Sequence, residues 1–126
     1  MIWRVVVAGC RNYTDHEEAI AFLDARLAHI PIDKQIVILS GGADGADSIG
    51  EAYAREKGFP VEKYPADWKR YGKRAGPIRN RQMAQACDLV ICFWDGQSRG
   101  TGSMIQEAKK ANKPLVLKRI DKKSQA

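Results

Sequence analysis

Three glycine-bearing segments stand where chemistry is most easily placed. They are Gly9-Cys10-Arg11, Ser40-Gly41-Gly42-Ala43-Asp44-Gly45-Ala46-Asp47, and Gly96-Gln97-Ser98-Arg99-Gly100-Thr101-Gly102-Ser103. Each follows an apolar run and opens a helical pattern. Glycine lets backbone N–H groups come close to a ligand, and a helix start adds partial positive charge, so each segment is a phosphate cradle in kind. None has the GxxxxGK[ST] or GxGxxG spacing, and a strand-to-helix turn uses glycine for geometry alone. A shared site therefore requires all three to converge at one edge. Arg11 and Arg99 fit phosphate contacts, because guanidinium grips phosphate in a bidentate way. Arg79 and Arg81, in Gly76-Pro77-Ile78-Arg79-Asn80-Arg81, fall in a first helical turn, where a cation opposes the helix dipole. That placement suggests a use beyond packing, with a surface ion pair as the plainer alternative.

Four carboxylates are candidates for catalysis: Asp44, Asp47, Asp95 and Glu107. Asp44 and Asp47 stand at a helix entrance and Asp95 at a strand tip. Each either caps local backbone or accepts a hydrogen bond from a ribose hydroxyl. Trp68 and Tyr71 either stack on a base or pin a long loop to the core. Cys10 has no partner base in the pattern and reads as a small residue lining its loop, and His16 reads as a neutral surface residue. Cys10, Cys87 and Cys92 form no CxxC pair, so neither a disulfide framework nor a metal site is expected, and no cofactor is implied. A reducing cytoplasm is the default compartment.

At 126 residues the chain has room for one domain, expected over residues 1–120 with a polar tail at 121–126. Hydrophobic residues make up 44% and charged residues 29%, which excludes disordered and fibrous classes, and no apolar run is long enough to span a bilayer. Ile2–Ala8 reads as a buried strand rather than a leader. The net charge of +6 is uneven: residues 67–81 hold six cations against Asp67. Such a concentration points to an anionic partner, a phosphate-bearing small molecule or a nucleic-acid backbone.

The elements that must position these groups alternate. Strands are expected at 2–8, 36–39, 61–64, 88–94 and 114–118. Helices are expected from caps at Thr14 and Asp15 to Pro31, at 46–57, at 77–86 with Pro77 in its first position, and at 101–111. A long loop fills 65–76. The pattern predicts an α/β Rossmann-like three-layer sandwich with a five-stranded parallel sheet of order 3-2-1-4-5. Ligands in such sheets bind at the carboxyl edge beside the switch in strand order, here between strands 1 and 4.

The ordered set of Gly9-Cys10-Arg11 with Asp15, Ser40 to Asp47, Tyr64-Pro65-Ala66-Asp67-Trp68 with Tyr71-Gly72, Ala75 to Met83, and Ser98 to Thr101 resembles the YspA-type branch of the SLOG superfamily. The similarity runs from about residue 2 to 119. The superfamily includes the lonely-guy phosphoribohydrolases and the DNA-processing protein DprA, and its shared theme is binding of nucleotides or nucleotide-derived ligands. Cys10 replaces the serine usual in this branch. The lonely-guy enzymes carry a glutamate three residues after their Gly-Thr pair; here that position is Met104, and the nearest carboxylate is Glu107.

Together these features lead to binding of a nucleotide or nucleotide-derived small molecule. The ligand-binding set is Gly9, Cys10, Arg11, Ser40, Gly41, Gly42, Asp44, Asp47, Trp68, Arg79, Arg81, Arg99, Gly100 and Thr101. A nucleoside-monophosphate N-glycosidase is the first alternative and a nucleic-acid-binding module the second, the latter supported by the basic balance and the cations from Lys118 to Lys123. No membrane partner is expected, and a homo-oligomer is compatible with the reading.

Overall fold

The computed structural model describes residues 1–31, 34–42 and 45–120. Asp44 and the tail at 121–126 lie outside them, as do Lys122 and Lys123. The sheet consists of β1 (Ile2–Gly9), β2 (Gln35–Ser40), β3 (Val61–Lys63), β4 (Leu89–Trp94) and β5 (Leu115–Arg119). All pairings are parallel and the order is β3-β2-β1-β4-β5, as the alternating pattern requires. Val5 opposite both Ile38 and Leu89 fixes the register at the sheet's centre.

Successive side chains of β1 serve opposite faces, since a strand has a period of two. Val5 and Val7 join Ile38, Ile91 and Phe93 beneath α1 (His16–Leu27) and α2 (Ala46–Lys57). Val6 and Ala8 join Leu39, Val90 and Cys92 beneath α4 (Ala75–Ala86) and α5 (Arg99–Lys110). Strands covered on both faces must be apolar throughout, which explains the unbroken runs in β1, β2 and β4. Among the described residues, no helix is long and apolar enough to cross a membrane.

Local chemistry sets the ends. Asp15 caps α1 by accepting from the Glu18 N–H at 3.0 Å, and Gly58 closes α2 in the left-handed conformation. α1 ends at Leu27, short of the expected stop at Pro31. The segment expected as a long loop is partly helical: α3 (Trp68–Tyr71) starts at its cap Asp67 and passes through a 3₁₀ turn (Gly72–Arg74) into α4. α4 consequently begins two residues before Pro77. A proline still fits there, because first-turn N–H groups have no partner within the helix. α5 likewise starts two residues earlier than expected, at Arg99.

Candidate functional site

β1 and β4 end side by side at the point where the strand order reverses. The Cys10 N–H donates to the Phe93 carbonyl at 3.1 Å, and the Cys10 carbonyl accepts from the N–H groups of Tyr13 and Ala46 at 3.2 and 3.3 Å. The three turns are thereby tied together by backbone. Gly45, with φ of +76°, marks how tightly: a side chain there would overlap the Cys10 and Arg11 carbonyls. Gly9 is equally confined, between the Phe93 carbonyl and the Ala46 side chain.

A pocket of about 400 Å³ opens at this edge. The β1 turn supplies Gly9, Cys10, Arg11 and Asn12, and α2 supplies Asp47. α4 contributes Arg79, Asn80 and Met83 from one face, and α5 contributes Arg99, Gly100, Thr101 and Met104. Buried polar side chains mark the same place. Among the described residues they are Ser40, Asp47, Asn80 and Thr101, and all four belong to the pocket or to the turn beside it. Elsewhere the described interior is apolar, so the polar groups here are retained at a cost in desolvation that packing does not require.

Ser40 and Asn80, with Arg79, Asp95 and Ser98 beside them, have local reasons for their positions. Ser40 Oγ donates to Glu51 at 2.7 Å and accepts from the Gly42 N–H at 3.1 Å, shaping the β2 turn. Arg79 Nη1 donates to the Gly41 carbonyl at 2.7 Å, and Arg79 Nε donates to Asn80 Oδ1 at 3.0 Å. Asn80 Nδ2 donates to the Gly100 carbonyl and to Ser103 Oγ, both at 3.3 Å. One residue pair on α4 therefore holds the β2 turn and the start of α5 in fixed relation. Asp95 Oδ1 accepts from the N–H groups of Gln97 and Ser98 at 2.8 and 2.9 Å, and these bonds hold its carboxyl down at about 2. Ser98 Oγ reaches Cys10 Sγ at 3.1 Å, joining the β4 turn to the β1 turn.

The electrostatics favour an anion. Burial lowers the Arg79 pKa; Asp47 opposes that shift and Arg11 adds to it. Arg11 and Arg99 are exposed and, among the described residues, form no ion pair. The N–H groups of Arg99, Gly100 and Thr101 precede the first intrahelical bond of α5, from Gly102 N–H to the Ser98 carbonyl at 3.0 Å. Such amides carry the positive end of the helix dipole. Among the described residues, no group of three or more His, Cys, Asp or Glu is arranged to hold a metal ion.

Of the residues expected to bind ligand, Gly9, Cys10, Arg11, Asp47, Arg79, Arg99, Gly100 and Thr101 line this pocket, with Ser40, Gly41 and Gly42 in the turn alongside. Arg81 does not, nor does Glu107, a candidate for catalysis. They face each other at 3.7 Å in a second hollow between the carboxyl halves of α4 and α5. Trp68 lies outside the pocket, 55% exposed, and Asp95 serves its own turn. Asp44 is outside the described residues, and the cap position of α2 is Gly45. Asn12, Asn80, Ser98 and Met83 are lining residues that the sequence pattern does not single out, and Met104, which stands where the lonely-guy enzymes carry a glutamate, lines the pocket too.

The chain matches the model of the YspA, cpYpsA-related SLOG family over residues 3–71. It belongs to that family. The Gene 61 protein of Mycobacterium phage D29 is 37% identical over 119 residues, covering 90% of this chain and 94% of that protein. Among solved structures, DNA processing protein A (DprA) of Streptococcus pneumoniae superposes with a TM-score of 0.71 at 20% identity, over 92% of this chain. This chain spans 50% of that DprA chain. The structural-genomics target TM1055 superposes with a TM-score of 0.64 at 23% identity, over 91% of this chain and 72% of its own. At these identities the two structures share the fold with this chain.

Proposed function

We propose that this SLOG-family chain binds a phosphorylated nucleoside or a nucleotide-derived molecule in the pocket at the carboxyl edge. The observation that carries the reading is the gathering of the buried polar side chains around the α5 N-terminus and Arg79. A phosphate accepts from the N–H groups of Gly100 and Thr101 and pairs with Arg11, Arg79 and Arg99. Asp47 faces the ribose as an acceptor for its hydroxyls. The pocket volume of about 400 Å³ is within the range of small-ligand sites. Isothermal titration against nucleoside mono-, di- and triphosphates, ADP-ribose and cyclic nucleotides tests the reading. Saturable binding by at least one, weakened in Arg79→Ala, is the expected result. A folded protein that binds none of them would remove the proposal.

A hydrolase reading has one specific support. Among the described lining residues Asp47 is the carboxylate, which supports a role for it in steadying positive charge developing on a ribose. Release of free base from nucleoside monophosphates, lost in Asp47→Asn, would show cleavage. Tight binding without turnover keeps the function as binding.

A further inference from the structure

The segment from Asp67 to Arg74 projects a different chemistry from the pocket beside it. Trp68 is 55% and Tyr71 38% exposed, although large aromatic side chains contribute most when buried. Lys69, Arg70, Lys73 and Arg74 are all exposed, and among the described residues none of them pairs with a carboxylate. Elsewhere among the described residues some cations (Arg4, Lys57, Lys63, Arg81 and Lys110) have an acidic partner and others, Arg11 and Arg99 included, have none; what marks the arm is four such cations within six residues, interleaved with two exposed aromatic rings. The Arg70 guanidinium stands 5.2 Å from the centre of the Tyr71 ring, near enough for the ring's π face to attract it.

The arm is also anchored in a telling place. The Cη2 edge of Trp68 stands 3.6 Å from where a side chain at Gly76 would begin, so the ring rests on the first turn of α4. Arg79 and Asn80 stand three and four residues after Gly76, and Met83 four and three after them, which puts the set on one face. Trp68 thus covers the extension of the α4 face that lines the pocket, about one helical turn or 5 Å beyond Arg79.

We propose that this arm is a binding surface for single-stranded nucleic acid, separate from the pocket and continuous with its rim. Unpaired bases stack on Trp68 and Tyr71, and backbone phosphates meet Lys69, Lys73 and Arg74. Stacking on an exposed ring requires a base free of its duplex partner, which is why the surface suits a single strand. Alternating aromatic and cationic side chains are how sequence-tolerant single-strand sites are built. The residues of this arm are not those of the pocket, so either site can be absent without the other.

Fluorescence anisotropy of the full chain with a labelled single-stranded oligothymidylate, and with the same length of duplex, tests it. The single strand is expected to bind more tightly, with affinity falling as salt rises. Trp68→Ala is expected to weaken it about tenfold or more, and Trp68→Phe to restore most of that affinity. Lys73→Ala is expected to lower the magnitude of the salt slope by about 0.7, since one fewer phosphate is neutralised. Mononucleotide titrations in the pocket should be unchanged by it. Equal affinity for duplex and single strand, or a Trp68→Ala chain that binds the oligomer as the parent does, would overturn the proposal. A far-ultraviolet spectrum matching the parent's establishes that each variant is folded.

Discussion

The same two helices border the two hollows described above, and they treat charge in opposite ways. Arg99 is the first residue of α5, where a cation opposes the helix dipole, and it forms no ion pair among the described residues; Arg79, expected in a first turn, falls in the second turn of α4 because that helix starts at Ala75. Farther along the same helices, Arg81 near the middle of α4 and Lys110 in the last turn of α5 share Glu107 at 3.7 and 3.8 Å. At the carboxyl end of α4, Lys113 donates to the Gln85 and Cys87 carbonyls that the helix leaves open. Cations at a carboxyl end relieve the dipole and need no ligand to explain them. Cations gathered at an amino end repel both the dipole and one another until an anion arrives. The side of the helix a cation faces and its distance from the helix start, rather than the number of arginines, separate a candidate site from a stabilised surface.

The hardest test of this contrast removes a cation from the pocket side of α4. Arg79→Ala is predicted to weaken nucleotide binding by about 10- to 100-fold, the range for losing a hydrogen bond to a charged group. It also removes the bond to the Gly41 carbonyl, so the β2 turn loosens with it. Titration of the ligand identified with the parent chain measures this.

Asn80→Ala ranks next and acts on stability as well as binding. Its amide is buried and bonds Arg79, Gly100 and Ser103 at once. Removing it strands those partners, at a cost of about 1–3 kcal/mol. Urea unfolding should show a lower midpoint with an unchanged slope, since the surface exposed on unfolding is the same.

Periodicity decides which of these residues are legible in the sequence and which are not. The sheet order is readable because runs such as Val5–Val7 and Val90–Phe93 are apolar on both faces and alternate with helical patterns. Arg79 and Arg81 share a motif, yet two residues apart on a helix means about 200° of rotation. Only one can face the pocket. Glu107 is suggested as the carboxylate nearest to Met104 in sequence, but six residues of helix carry it about 9 Å from Thr101. Asn80 carries a signal, a polar amide on the apolar face with Gly76 and Met83, that the arginine chemistry overshadows. α3 is hidden by its four-residue length, too short for periodicity to register, although Asp67 is a legible cap.

Asp95 extends the contrast to the β4 turn, with a smaller effect and a pH signature. Two backbone N–H groups lower its folded pKa to about 2, against about 3.9 for a free aspartate. A carboxylate so depressed stabilises the fold fully above the unfolded value and loses that contribution as pH falls through the folded one. Asp95→Asn should therefore be less stable than the parent at neutral pH. The gap should close between about pH 4 and pH 2. Urea midpoints across that window measure it, and a gap independent of pH would mean the turn does not depend on the charge.

Arg81→Ala is predicted to do least, and its smallness is informative. At 3.7 Å from Glu107, with its side chain 64% exposed, Arg81 is too far for a good hydrogen bond and too wet for a strong pair. Exposed pairs of this kind contribute about 0–1 kcal/mol, and Lys110 remains to face Glu107. Stability should fall by less than about 1 kcal/mol, and ligand affinity should not change. An Arg81→Ala chain that lost ligand as Arg79→Ala does would place bound phosphate within reach of the second hollow. The division between the amino and carboxyl halves of α4 would then fail, because one ligand would be drawing on both.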